Sequence, residues 1–124
     1  MEDQFQITFE GNYIQVRLQG SEDLGVASRL WPQIREACKD NDCFKVLGIA
    51  ETSSPLGTMD AYNHAELFHK LGINHQYRIA WVELNPEAYE ATQFAETVLK
   101  NRGLPGRLFA DVSEAKQWLL NEAE

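Results

Sequence analysis

The chain contains no run of about 18 apolar residues, the length a membrane-crossing helix needs, so no stretch of it reads as a transmembrane span. It is short of positive charge. Eleven Lys and Arg stand against nineteen Asp and Glu, a net charge of −8. Nucleic acid and anionic membranes both require a basic footprint, so neither is expected as a partner. The opening Met1-Glu2-Asp3-Gln4 lacks the basic and apolar stretches of a signal peptide, and a bacterial-type cytoplasmic protein is the expectation. Cysteine is scarce: Cys38 and Cys43 lie five apart, with neither CxxC spacing nor a zinc set. They read as buried free thiols of a reducing compartment. The three histidines, His64, His69 and His75, are spaced five and six apart, whereas neighbours on a helix face are three or four apart. HExxH and GxSxG are absent, and no base or acid is fixed beside a hydroxyl. Neither a metal nor another cofactor is expected, and a hydrolase is disfavoured.

What is present reads as an α/β chain with the order β-β-α-β-α-β-α-β-α. Its 124 residues suit a single domain spanning 1–124. Phe5, Ile7 and Phe9 alternate with polar residues, as do Ile14, Val16 and Leu18 after Gly11-Asn12. Two period-two segments around a Gly-Asn turn predict an antiparallel hairpin with one buried face. Ser21 can cap a helix whose first turn carries Glu22 and Asp23. Leu24, Ala27, Trp31, Ile34 and Cys38 continue its stripe in phase past Pro32. One kinked helix is preferred, with Pro32 as the first residue of a shorter helix as the alternative. Phe44–Ala50 is apolar without alternation, as befits a central strand covered on both faces.

A polar loop follows, Glu51-Thr52-Ser53-Ser54-Pro55-Leu56-Gly57. Thr58 then opens a helix that ends at Leu71 before Gly72. Tyr77–Leu84 is a second buried strand. Asn85-Pro86-Glu87 starts a helix with an Ala-rich face that ends before Gly103. Arg107–Ala110 is a short last strand, and Asp111 caps a final helix docked by Val112, Ala115, Trp118 and Leu119. Strands alternating with helices imply a mostly parallel sheet with right-handed crossovers.

Candidate functional residues gather after the third strand. Thr52, Ser53 and Ser54 sit on a loop at a strand's carboxyl end, where polar ligand groups are commonly held. A solvated loop is the plainer account. Thr58 is first an N-cap. A phosphate there would meet free backbone N–H groups and the positive end of the helix dipole, with Asp60 opposing the added charge. Glu51 and Glu83 are expected at the solvated carboxyl rim of the sheet. Tyr62, Phe68, Trp81 and Phe94 could line an apolar pocket beneath helix 58–71, although an aromatic stripe is more often solid core.

Several strings resemble the SpoIIAA-like branch of the STAS domain family, whose members include STAS/CRAL-TRIO-like small bacterial proteins. They are Gly57-Thr58-Met59-Asp60, Arg78-Ile79-Ala80-Trp81-Val82, Phe94-Ala95-Glu96-Thr97-Val98 running into Asn101-Arg102-Gly103, and Leu108-Phe109 with Asp111, Glu114-Ala115 and Trp118-Leu119. The resemblance spans nearly the whole chain. It implies a non-enzymatic binding or regulatory module that engages a protein partner or small ligand through loop 51–58 and helix 58–71. It also implies a hydroxyl at the start of that helix as a phosphorylation switch, here Thr58, although Gly57-Thr58-Met59-Asp60 stands where the family carries Asp-Ser-Ser. SpoIIAA-like members look similar to lipid-carrier folds, so a carrier of a small apolar or lipid-like ligand is the alternative. A homodimer through an exposed hairpin edge or through helix 58–71 is compatible with this reading.

Overall fold

The computed structural model describes residues 5–20, 24–52 and 58–121. The alternating N-terminal segments form strands β1 (Phe5–Phe9) and β2 (Ile14–Gly20), which pair antiparallel with Phe5 opposite Leu18 and Phe9 opposite Ile14. Gly11 turns the hairpin at φ +99°, a conformation in which a side chain would be strained. Helix α1 (Leu24–Asp40) runs unbroken through Pro32, as the in-phase stripe predicts. The cap expected at Ser21, with Glu22 and Asp23, lies outside the described residues.

Strand β3 (Lys45–Thr52), helix α2 (Thr58–Leu71), strand β4 (Arg78–Glu83), helix α3 (Pro86–Asn101), strand β5 (Arg107–Phe109) and helix α4 (Val112–Leu120) complete the order. The sheet runs β1-β2-β3-β4-β5, antiparallel only between β1 and β2. Strand β3 reaches two residues beyond the expected end at Ala50, because Gln19 and Gly20 of β2 still pair with Glu51 and Thr52. Asn85 caps α3, its side chain accepting from the Glu87 N–H, and Asp111 caps α4 by accepting from Glu114.

The two faces of the sheet are covered unequally. Among the described residues, helix α4 is the one helix packed on one face. Its Ala115 and Leu119 meet Leu47, Ile49, Ala80 and Val82, and all but Ile49 of these are wholly buried. On the other face α1, α2 and α3 bury Ile14, Val16, Leu18, Val46, Ile79 and Trp81. Gly48 matters there. A Cβ at this position would stand 2.1 Å from Cε3 of Trp81, its neighbour across β3 and β4. The missing side chain makes room for an indole lying directly on the sheet.

Candidate functional site

The carboxyl edge of the central strands is closed by a polar latch. Residues 79, 81 and 83 share a face of β4, so Glu83 follows Trp81 into the interior rather than standing on the rim. This corrects the solvated position expected for Glu83, while Glu51 is exposed as expected. Glu83 Oε1 accepts the Thr52 hydroxyl at 2.6 Å. Its Oε2 accepts the backbone N–H groups of Thr52 and Asn85, each at 3.0 Å. Asn85 Nδ2 in turn donates to the Thr52 carbonyl. A carboxylate tolerates burial when its oxygens are bonded in this way. The latch ties the end of β3 to the start of α3.

Beneath α2 and α3 the packing is incomplete. A cavity of about 60 Å³ lies between them and the sheet, walled mainly by apolar groups that include Trp31, Phe68, Trp81, Leu99 and Leu108. Trp31 bridges the other aromatics, its ring 4.6 Å from Phe68 edge-on and 5.6 Å from Trp81. Trp81 is only 7% exposed, and its indole Nε1 finds no hydrogen-bond partner among the described residues. The Cε3–Cζ3 edge of the indole rests over Gly48, so the Nε1-bearing edge is turned away from β3. A buried donor left in this state costs about 1–3 kcal/mol. His64 on α2 also borders the cavity, and its Nδ1 lies 2.7 Å from the Asp60 carbonyl.

The residues singled out in the sequence are thus divided. Phe68 and Trp81 stand together at the cavity. Tyr62 and Phe94 meet elsewhere, edge-to-face at 5.9 Å on the outer surface of α2 and α3, and are 39% and 40% exposed. The reason is helical spacing: Ala61, His64, Ala65 and Phe68 make the inward face of α2, which leaves Tyr62 outside. Thr52 is consumed by the latch. Asp60 is half-buried in the first turn of α2. Ser53, Ser54 and the side chain of Thr58 lie outside the described residues. Sequence reasoning passed over His64, Thr92 and Leu108 as cavity residues. A signal was available in Thr92, a hydroxyl on an otherwise Ala-rich inward face, whose Oγ1 donates back to the Ala88 carbonyl.

Cys38 is fully buried and free, and burial, helped by the nearby Cys43, pushes its thiol up to about 12. It is a core residue rather than a nucleophile. Among the described residues no group of three His, Cys, Asp or Glu side chains is placed to hold a metal ion. No helix there is long and apolar enough to cross a membrane.

No protein-family profile matches this chain, and no curated protein matches it in sequence. Its architecture is similar to that of a crystal structure from Shewanella loihica PV-4, described as an uncharacterized protein of the DUF3478 family with a SpoIIAA-like fold. That match covers 93% of each chain at 17% identity, with a TM-score of 0.57.

Proposed function

We propose that the chain uses its SpoIIAA-like fold as a non-catalytic binding module, with a small, largely apolar ligand held beneath helix 58–71. The observation that supports this most directly is the mainly apolar cavity itself, one wall of which is Trp81, whose buried indole Nε1 has no hydrogen-bond partner among the described residues. A ligand with an apolar body and one hydrogen-bond acceptor would fill the space and satisfy the donor together. The carrier role therefore has more support than the partner-binding role. The partner reading draws on a different observation: Met59, Tyr62 and Phe94 expose apolar surface on the outer side of α2 and α3. Helix α2 carries cavity residues His64 and Phe68 on one face and Met59 and Tyr62 on the other, so occupation of the cavity would be felt on that outer surface. Thr58, at the start of the same helix, is the candidate at which a phosphate would act.

Two of the three tryptophans, Trp31 and Trp81, wall the cavity, so intrinsic fluorescence reports on it. Titration with 2-butanone, an apolar body carrying one acceptor, is expected to give a saturable change that Ala95→Leu abolishes by filling the space. A linear, unsaturable response identical in both proteins would overturn the carrier reading. A Thr58→Ala variant that binds and is regulated like wild type would dispose of the switch.

A further inference from the structure

Three of the four mutually parallel strands, β3, β4 and β5, begin with a cation: Lys45, Arg78 and Arg107. Parallel pairing brings these starts to one edge of the sheet, with Lys45 directly opposite Arg78. This is the amino edge, the end opposite the Glu83 latch. Lys100, near the end of α3, joins them around an open cleft of about 970 Å³. Four of the chain's eleven Lys and Arg therefore line one cleft in a protein of net charge −8. Glu96 is the acid in its lining, and one of its oxygens accepts the Leu108 N–H at 2.8 Å. Two of the cations are braced by aromatic surface: the Arg78 guanidinium lies 3.8 Å from the Trp118 ring centre, with Nη2 donating to the Trp118 carbonyl at 2.7 Å. Arg107 lies over the rings of Phe109 and Trp118. A cationic cleft on an acidic protein focuses field lines and draws in anions.

The cleft and the apolar cavity are neighbours. Ile79, Glu96, Gly106 and Arg107 belong to the walls of both. We infer that the ligand is a small amphiphilic carboxylate, its charged head among Lys45, Arg78, Lys100 and Arg107 and its apolar tail entering the cavity beside Trp81. The inference rests on the carrier reading and adds to it the charge of the ligand and its direction of entry, from the amino edge.

Calorimetric titration with hexanoate and with hexanamide separates the two ideas, because the pair share a tail and an acceptor and differ in charge. Hexanoate is expected to bind about tenfold more tightly at low ionic strength, an advantage that shrinks as salt screens the head. Lys100→Gln with Arg107→Gln, both at exposed positions, is expected to weaken hexanoate by roughly 3- to 5-fold per charge removed and to leave hexanamide nearly unchanged. Equal affinities for the two probes would overturn the charged-head inference while the cavity reading stands. Acetate binding as tightly as hexanoate would also overturn it, since the cleft would then take anions without using the cavity. Failure of both hexanoate and hexanamide to bind would end both readings.

Discussion

The two faces of the sheet are built by the same kind of chemistry to different ends. Under α4, Leu47, Ala80, Val82, Ala115 and Leu119 leave no exposed surface, and the packing is solid. Under α2 and α3, three aromatic rings and an Ala-rich helix border a space, and the buried indole donor of Trp81 has no acceptor among the described residues. Protein interiors are normally packed as densely as organic crystals, so a gap next to an unsatisfied indole is a departure that a bound group would remove. The solid face stabilises the sheet, and the incomplete face is the one to which we propose binding belongs.

The largest effects should come from truncating the two faces in parallel. Leu119→Ala removes a fully buried side chain from the solid face and is expected to cost about 2–5 kcal/mol. Leu99→Ala, at a half-buried residue already bordering empty space, should cost roughly half as much, because fewer contacts are lost. Urea unfolding measures both, and the reverse order would break the contrast. The latch comes next. Glu83→Ala leaves the donors of Thr52 and Asn85 without their acceptor and should lower stability by about 2–3 kcal/mol. Glu83→Gln keeps one acceptor oxygen and should lose about half of that by thermal unfolding. Smaller still, the same enlargement should change sign between the faces. Ala115→Leu overpacks the α4 side and should cost about 1–3 kcal/mol, whereas Ala95→Leu grows into the cavity and should be neutral or stabilising by up to about 1 kcal/mol.

The smallest expected effect concerns pH. The Cys38 thiol sits at about 12 in the folded protein against an ordinary 9.0. Folding thus favours its protonated form. That contribution is complete below pH 9 and is lost as the pH rises from about 9 toward 12, where the unfolded chain releases the proton first. Stability should fall slightly over this window in wild type and less in Cys38→Ala. At pH 8, alkylation of Cys38 should follow unfolding.

Much of the fold was legible because it is written in local patterns. The hairpin alternation, the unbroken stripe past Pro32, the Asn85-Pro86-Glu87 start and the α2 boundaries at Thr58 and Leu71 all match the structure. The site was less legible because it depends on pairings between segments distant in sequence. Glu83 reads as a rim residue until β3 is seen to extend to Thr52, whose hydroxyl and N–H meet it. Tyr62 and Phe94 share the composition of a pocket wall, yet the helical phase of α2 turns Tyr62 outward. Gly48 and Trp81 are unremarkable separately; only parallel register sets one beneath the other. The cations opening β3, β4 and β5 are likewise scattered until the sheet aligns their starts.

Our central proposal is that a ligand held beneath α2 brings an acceptor to the indole N–H of Trp81. Proton–nitrogen correlation spectra of the tryptophan side chains test it most directly. On addition of 2-butanone the Trp81 Nε1–H resonance is predicted to move downfield and saturate, with Trp118 little affected and the shift absent in Ala95→Leu. A Trp81 resonance that stays fixed while the probe reaches saturating concentrations would contradict the account.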